Sequence, residues 1–481
     1  MGSSSDSSGP ILAPAAPALI SAIDSVSPLA AAADSAVSAS TVLAAGAAAA
    51  PAVELPPGRL AGMFRSLRYR DFALFWTGNF LSNIGTWMQN LALGWQILLI
   101  TNSPFLLGLN GFLGTLPSLI FSLPGGAVAD RLNRRKLMLI TQSSMAATAL
   151  ILALLTSFRV VRINEILLLS FLTGLAGALN SPVYQALVPD LVPRHDLVNA
   201  IGLNSAQFNM SRAIGPTLAG LALGTVGVAG CYYLNSLSFF ALILALIILK
   251  LPSRLESAPA GNLWGALLDG LRFINQHRLL IILLSVPTFL SLFGLPFTVL
   301  MPVLARDLLH VGASGLGYLM AGAGLGAVMS ALALASQRSA QRRGGFILTS
   351  AAVFALALLL LAQARTFWWA WVLLVALGAS MVGALALTNT TLQMVSPPEL
   401  RGRIMGFYVF AVMGLAPLGS LWVGHVAERL GTRFALTLGG SICLVYFVTV
   451  RLSLPRLRRI AELPWPDQVA IKATVEGNET Q

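Results

Sequence analysis

Arg212 is the deepest charge in this sequence, roughly 14 residues into an apolar run that begins at Val198, about 21 Å along a helix. An intramembrane guanidinium marks function by default. Three roles suit it: a structural or gating contact, the reading of a substrate, or snorkelling to the outer interface. It shares a helical stripe with Ser205 and Asn209, beside a second stripe of Asn204, Gln207 and Ser211. A row of polar groups, Asn79, Asn83, Thr86 and Asn90, falls within about 60° of arc at 100° per residue, flanked by Trp76 and Trp87. Thr173, Gly177, Asn180 and Tyr184 make a comparable stripe farther on. Amides are costly against lipid, so these rows either line a polar cavity or hydrogen-bond to neighbouring helices. This is recognition chemistry rather than catalysis. The sequence holds no HExxH, no GxSxG, no P-loop and no paired acids, so no catalytic residue, metal or cofactor is expected. Cys231 and Cys443 lack CxxC spacing and read as small hydrophobes within helices.

The elements that position these groups follow from composition. The 481 residues are 56% hydrophobic and only 10% charged, with mean hydropathy +0.79. Soluble domains carry about 25% charged residues. Apolar runs of about 18–25 residues recur, each enough to cross a hydrocarbon core of about 30 Å as a helix. Twelve occur, near 72–99, 105–128, 137–158, 166–187, 198–223, 228–250, 279–303, 314–336, 345–364, 367–394, 403–426 and 433–454. The expected fold is an all-α membrane protein. Residues 1–58, rich in Ala, Ser and Pro, read as a disordered tail, and 456–481 as a second tail. Residues 251–278 connect two six-helix bundles, 64–250 and 279–455, through an amphipathic helix near Asn262–Gln276.

The bundles look duplicated. Leu107-Gly108 aligns with Leu316-Gly317, Arg134-Arg135 with Arg342-Arg343, and the mid-run prolines Pro216 and Pro417 correspond. Such internal repeats are a transporter architecture. Of the 30 Lys and Arg, only Arg159, Arg162, Arg306, Arg365, Arg429 and Arg433 fall in odd-numbered connections. The positive-inside rule therefore places both termini in the cytoplasm. The net charge of +12 reflects topology and not a nucleic-acid surface.

Between the second and third runs lies a charged hairpin containing Gly126, Asp130, Arg131, Asn133, Arg135 and Lys136. It resembles the cytoplasmic loop motif of the major facilitator superfamily, with Asn133 where Gly is usual. Asn tolerates left-handed backbone, so the turn is expected to survive the change. Pro182 to Ala186, Asn199-Ala200, Arg212, Gly215-Pro216 with Ala219-Gly220, and Pro398 to Arg403 are similar to the enterobactin-exporter-like branch. The resemblance covers about Phe64 to Leu454. It implies alternating-access export of siderophore-type or other small organic molecules from the cytoplasm.

The resemblance also implies roles. Asp130 faces the start of the eleventh helix when the cytoplasmic side is closed, and Arg401 and Arg403 could add an ion pair there. The alternative is a basic loop that sets topology, with one incidental acid. Runs 1, 4, 7 and 10 line the cavity in the resembling family, which makes Asn79, Asn83, Thr86, Asn90, Thr173, Asn180 and Tyr184 the substrate-facing candidates. Arg212, on the fifth run within the family-like Arg-x-x-Gly-Pro pattern, joins them as a cavity candidate in a structural, gating or substrate-reading role. Gly215, Pro216 and Gly220 resemble an antiporter motif, against the alternative of a plain kink at a packing seam. Proton coupling is inherited from the family, because no acid lies mid-run and only His425 approaches a helix interior. The expected protein is a monomeric, multi-pass exporter of the cytoplasmic (inner) membrane. Its substrate would be a neutral or anionic organic solute, moved against a proton or other coupling ion, and it would have no nucleic-acid partner. A lysolipid mover, whose cavity opens sideways to lipid, and a non-transporting sensor are the alternatives.

Overall fold

The computed structural model describes residues 64–121, 133–249, 263–336 and 343–453. The expected tails, the hairpin residues Gly126, Asp130 and Arg131, and residues 251–262 of the connection lie outside them.

The described residues are helical, with no strand among them. The first six long helices are α1 (Arg70–Thr101), α2 (Pro104–Phe121), α3 (Arg134–Ser157), α4 (Ile163–Leu187), α5 (Leu197–Thr225) and α6 (Gly227–Ile248). A 14-residue helix, α7 (Leu263–Gln276), leads into the second set. That set is α8 (Arg278–Leu308), α9 (Gly312–Ser336), α10 (Arg343–Ala362), α11 (Phe367–Val395), α12 (398–430) and α13 (Thr432–Ser453). Ten of these helices are long and apolar enough to cross a membrane.

The two remaining long helices, α1 and α5, have 32 and 29 residues, so length is not what they lack. Their hydropathy is diluted by polar side chains turned inward. Gln89 accepts from Asn235 Nδ2 at 2.8 Å, and Gln96 Oε1 accepts from the Tyr232 hydroxyl at 2.6 Å, both on α6. Asn204, Gln207 and Ser211 of α5 are likewise buried. Large apolar side chains such as Leu168, Leu237, Leu332 and Val445 point outward instead, as a lipid-solvated surface requires.

α1 packs on α5 and α6, α3 on α4 and α6, and α2 on α4. In the second set α11 packs on α9 and α10, and α13 on α10 and α12. The two sets meet chiefly along α5 with α9 and α2 with α12. Both seams are backbone to backbone. A Cβ on Gly317 would lie 2.4 Å from Gly220 Cα, and one on Gly108 would lie 2.5 Å from the Ser420 carbonyl oxygen. Gly108 and Gly317 are the pair that the internal repeat aligns. Each seam is thus the other's counterpart under the pseudo-two-fold relation.

α8 and α12 are interrupted by π turns at Leu290–Gly294, Leu304–Leu308 and Phe410–Gly414. Ser291 Oγ donates to the Val412 carbonyl at 2.9 Å, tying one interruption to another. Pro287, Pro296 and Pro302 withhold donors along the same helix.

One expectation fails here. Asn133 is extended, at φ −62° and ψ 108°, and not left-handed. Its side chain accepts from the Lys136 amide at 3.1 Å, which makes it the N-cap of α3. Asn at this position is useful for its side-chain oxygen rather than for its tolerance of positive φ.

Candidate substrate cavity and gates

α1 carries the polar row, and its orientation is settled by the opposite face. Leu81 and Leu99, 46% and 53% exposed, lie about 160–180° round the helix from Asn83 and Asn90 at 100° per residue. Trp87 and Gly85 take the flanks, against Gly215 of α5 and Asn235 of α6. The row therefore faces the interior of the bundle and not lipid. Within it the residues differ. Asn79 is buried and donates to the Tyr184 hydroxyl at 3.0 Å and to Gln207 Oε1 at 2.9 Å. Tyr184 in turn donates to Asn204 at 3.0 Å, so α1, α4 and α5 share one closed network. Thr86 bonds back to the Ser82 carbonyl at 2.9 Å. Asn83 is half-buried and Asn90 is exposed, which leaves their amides open to a solute.

The α4 stripe divides similarly. Thr173 meets Thr148 at 2.9 Å, and Asn180 accepts from Thr141 at 3.0 Å and Gln142 at 3.3 Å, all on α3. These two side chains spend bonding capacity on holding α3 and α4 together. Gly177 faces open space: a Cβ added there would have nothing within 4 Å.

Arg212 sits between the two helix sets. Its guanidinium lies over the Trp87 ring, 5.9 Å from the centroid, and Nη2 reaches Met381 Sδ of α11 at 3.1 Å. Trp87 also meets Phe208 edge-on at 6.2 Å. Three residues after Arg212, Gly215 lets α5 close on α1, since its Cβ would lie 2.5 Å from that of Trp87. Pro216 offers its carbonyl towards Gly317, and Gly220 meets Gly317 directly. The Gly215, Pro216, Gly220 motif is thus built into two helix contacts at once.

At the end rich in Arg and Lys, ion pairs stay local. Arg135 donates to the last carbonyls of α6, Leu246 at 2.8 Å and Ile247 at 2.7 Å, and Arg134 pairs with Asp190 at 3.1 Å. Lys136 and Arg401 are exposed. Arg403 pairs with Asp269 of α7 at 3.2 Å, a partner on the connection and not on α2. Asp196, before α5, is fully buried beneath the segment preceding α1. It accepts from the Tyr69 hydroxyl at 2.6 Å and pairs with Arg65 and with Arg68, the latter at 3.2 Å. Burial alone would raise its pKa. Hydrogen bonds from Tyr69 and Arg65, with the charges of Arg65 and His195, more than offset this and hold it below the ordinary 3.8. Among the described residues no ion pair at this end joins α1–α6 to α8–α13.

The opposite end is bridged across the sets. Glu428 of α12 accepts from Ser103 Oγ at 2.8 Å and from the Phe105 amide at 3.1 Å, an acid on the N-terminus of α2. Arg306 of α8 donates to the Leu98 carbonyl at 3.1 Å and Asn102 Oδ1 at 2.7 Å, a cation on the C-terminus of α1. Both complement the helix dipoles. The sequence showed Glu428 and Arg306 only as helix-end charges, because their partners lie in the other half of the chain. No group of His, Cys, Asp and Glu among the described residues is arranged to hold a metal.

A protein family described as transmembrane secretion effector, in the major facilitator class, matches residues 61–477. The chain is similar to a staphyloferrin A transporter of Staphylococcus aureus, at 25% identity over 79% of this chain and 96% of that one. It is similar also to the multidrug efflux pump Tap of Mycolicibacterium fortuitum, at 25% identity over 78% and 93%. An enterobactin exporter of Shigella boydii is 26% identical over 82% and 94%. Among solved structures, the nucleoside transporter NupG shares the fold with TM-score 0.65 and 13% identity, over 80% of this chain and 98% of that one.

Proposed function

We propose that this chain, which belongs to the transmembrane secretion effector family of major facilitator transporters, exports a small organic solute from the cytoplasm by alternating access. Efflux and secretion are the family's work; the direction, the cavity and the coupling are our reading. The end bearing Arg134 and Arg135 faces the cytoplasm by the positive-inside rule, with both termini on that side of the inner membrane. Residues 64–250 and 279–455 rock against each other, with 251–278 as their tether and 1–58 and 456–481 as tails. The state described is latched at the outer end by Glu428, Arg306 and the glycine seams.

The observation that carries the proposal is the amide face of α1. Asn83 is half-buried and Asn90 exposed on the side of the helix facing away from Leu81 and Leu99. An uncovered amide inside a membrane bundle has value only if something polar visits it. Arg212 shares that space, while Asn79, Thr173, Asn180 and Tyr184 shape its wall through bonds between helices. When the cytoplasmic side closes, Asp130, with Gly126 and Arg131 in its hairpin, meets the start of α12. Arg403 must then exchange Asp269 for that contact.

Counterflow in proteoliposomes tests the proposal. Preloaded solute should accelerate uptake of labelled solute, and Asn83→Leu should weaken it without unfolding the protein. Folded protein that shows no counterflow with any organic solute in a broad panel contradicts it. Ion antiport is the second reading, favoured by Gly215, Pro216 and Gly220, and predicts that uptake follows a pH gradient.

A further inference from the structure

We propose that an organic anion is the missing counter-ion of Arg212, and that the membrane potential, not a proton, drives its export. The inference rests on the export reading above and adds the substrate's charge and the energy source.

Arg212 lies mid-length in α5 with two contacts that do not neutralise it. One is the face of Trp87, which attracts a cation without carrying charge. The other is the thioether of Met381, a weak acceptor. Of the eight acids among the described residues, six have partners elsewhere, and Asp71 and Glu399 stand in the first turns of α1 and α12. Asp190 holds Arg134, Asp196 holds Arg65 and Arg68, and Asp269 holds Arg403. Asp307 holds Arg306, Glu165 accepts from the Arg162 amide at 2.7 Å, and Glu428 caps α2. No carboxylate among the described residues is within ion-pairing distance of Arg212. A cation held in a low-dielectric site without a partner is the costly half of an ion pair. Solute binding supplies the other half. The surroundings also specify the solute's body. Trp87 and Phe208 offer aromatic surface, and Asn83, one helical turn from Trp87, offers an amide. The fit is a singly charged organic anion with a flat apolar part.

The energy source follows from charge bookkeeping. The apolar runs contain no Asp or Glu, so none of them supplies a carboxyl to shuttle a proton. Their single His, His425, lies edge-on to Phe105 at the α2–α12 seam, whereas Arg212 meets Trp87 of α1 and Met381 of α11. Arg212 stays with the protein through the cycle while the anion crosses, so each turnover moves one negative charge outward. A potential negative inside favours that movement, by about 50-fold in concentration per elementary charge per 100 mV.

The test uses a pair of probes alike in shape and unlike in charge: naphthalene-2-sulfonate, an anion at every physiological pH, and uncharged naphthalene-2-sulfonamide. The full chain is reconstituted in vesicles loaded with labelled probe, and valinomycin with a potassium gradient sets the potential. Efflux of the sulfonate should rise at least tenfold when the interior is made negative by that amount, and should ignore a pH gradient. The sulfonamide should move slowly whatever the potential. Arg212→Gln should abolish the sulfonate's response, and Arg212→Lys should restore part of it, which separates loss of charge from loss of folding. Equal movement of both probes, in wild type and Arg212→Gln alike, leaves export standing and overturns the anion assignment. Efflux that follows pH at zero potential overturns the energy source. If neither probe binds or moves, the anion assignment falls, and counterflow with other solutes decides the export reading separately.

Discussion

Gly317→Ala should shift the resting conformation away from the outward-closed state. The new Cβ would stand 2.4 Å from Gly220 Cα, 2.7 Å from its nitrogen and 2.9 Å from the Pro216 carbonyl oxygen, all backbone atoms without rotamer freedom. Carbon atoms rest about 3.5–4.0 Å apart, so α5 and α9 must separate by about 1 Å. Overpacking of this kind costs about 1–3 kcal/mol, and the cost falls only on the state in which the seam is closed. That shifts the population by about 5- to 150-fold. Gly108→Ala should act alike through Ser420 and Gly424. Gly177→Ala, which meets nothing within 4 Å, is the control and should leave the equilibrium unchanged. Spin labels at Val226 and Leu430, both exposed at the end opposite Arg134, report the separation by pulsed electron resonance once Cys231 and Cys443 are replaced. A longer distance in Gly317→Ala and Gly108→Ala is expected. An unchanged distribution in folded protein would refute the assignment of these glycines to a closing seam.

Asn79→Leu breaks the network with Tyr184 and Gln207 and should cost about 0.6–2 kcal/mol in unfolding assays, whereas Asn83→Leu should spare stability and lower transport. Glu428→Gln removes charge from the start of α2 and should weaken the outer latch by about 0.3–1 kcal/mol, seen as faster labelling of an outer-end cysteine. Asp196→Asn should lower thermal stability at neutral pH. Because the folded pKa of Asp196 lies below 3.8, its contribution is complete above that value and is lost only as pH falls through the folded pKa. Wild type and Asp196→Asn should therefore converge in melting temperature only in strong acid.

Periodicity and repeat spacing made the helical fold legible, because a membrane forces each crossing segment to declare itself by length. The alignment of Gly108 with Gly317 marked the repeat, while the close approach of both glycines to the other helix set is known only from the structure. Other features were less legible. A stripe records which side chains share a face, not which neighbour that face meets. Thr173 and Asn180 share a stripe with Tyr184 yet turn to α3, while Tyr184 turns to α1 and α5. Glu428 and Arg306 find partners 325 and 204 positions away. Pairings at such distance depend on how the two sets dock, which local pattern does not encode. Asn133 shows a different limit. One residue type serves both a left-handed turn and an N-cap, and only backbone angles separate them.

The most direct measurement is the reactivity of Asn83→Cys, in protein lacking Cys231 and Cys443, towards a membrane-impermeant thiol reagent applied from each side in turn. Access from the Arg134 side in the latched state, and from the other side once Gly317→Ala opens the outer seam, is the predicted result. A cysteine that reacts only with lipid-soluble reagents, or from both sides at once, would contradict an alternating cavity lined by α1.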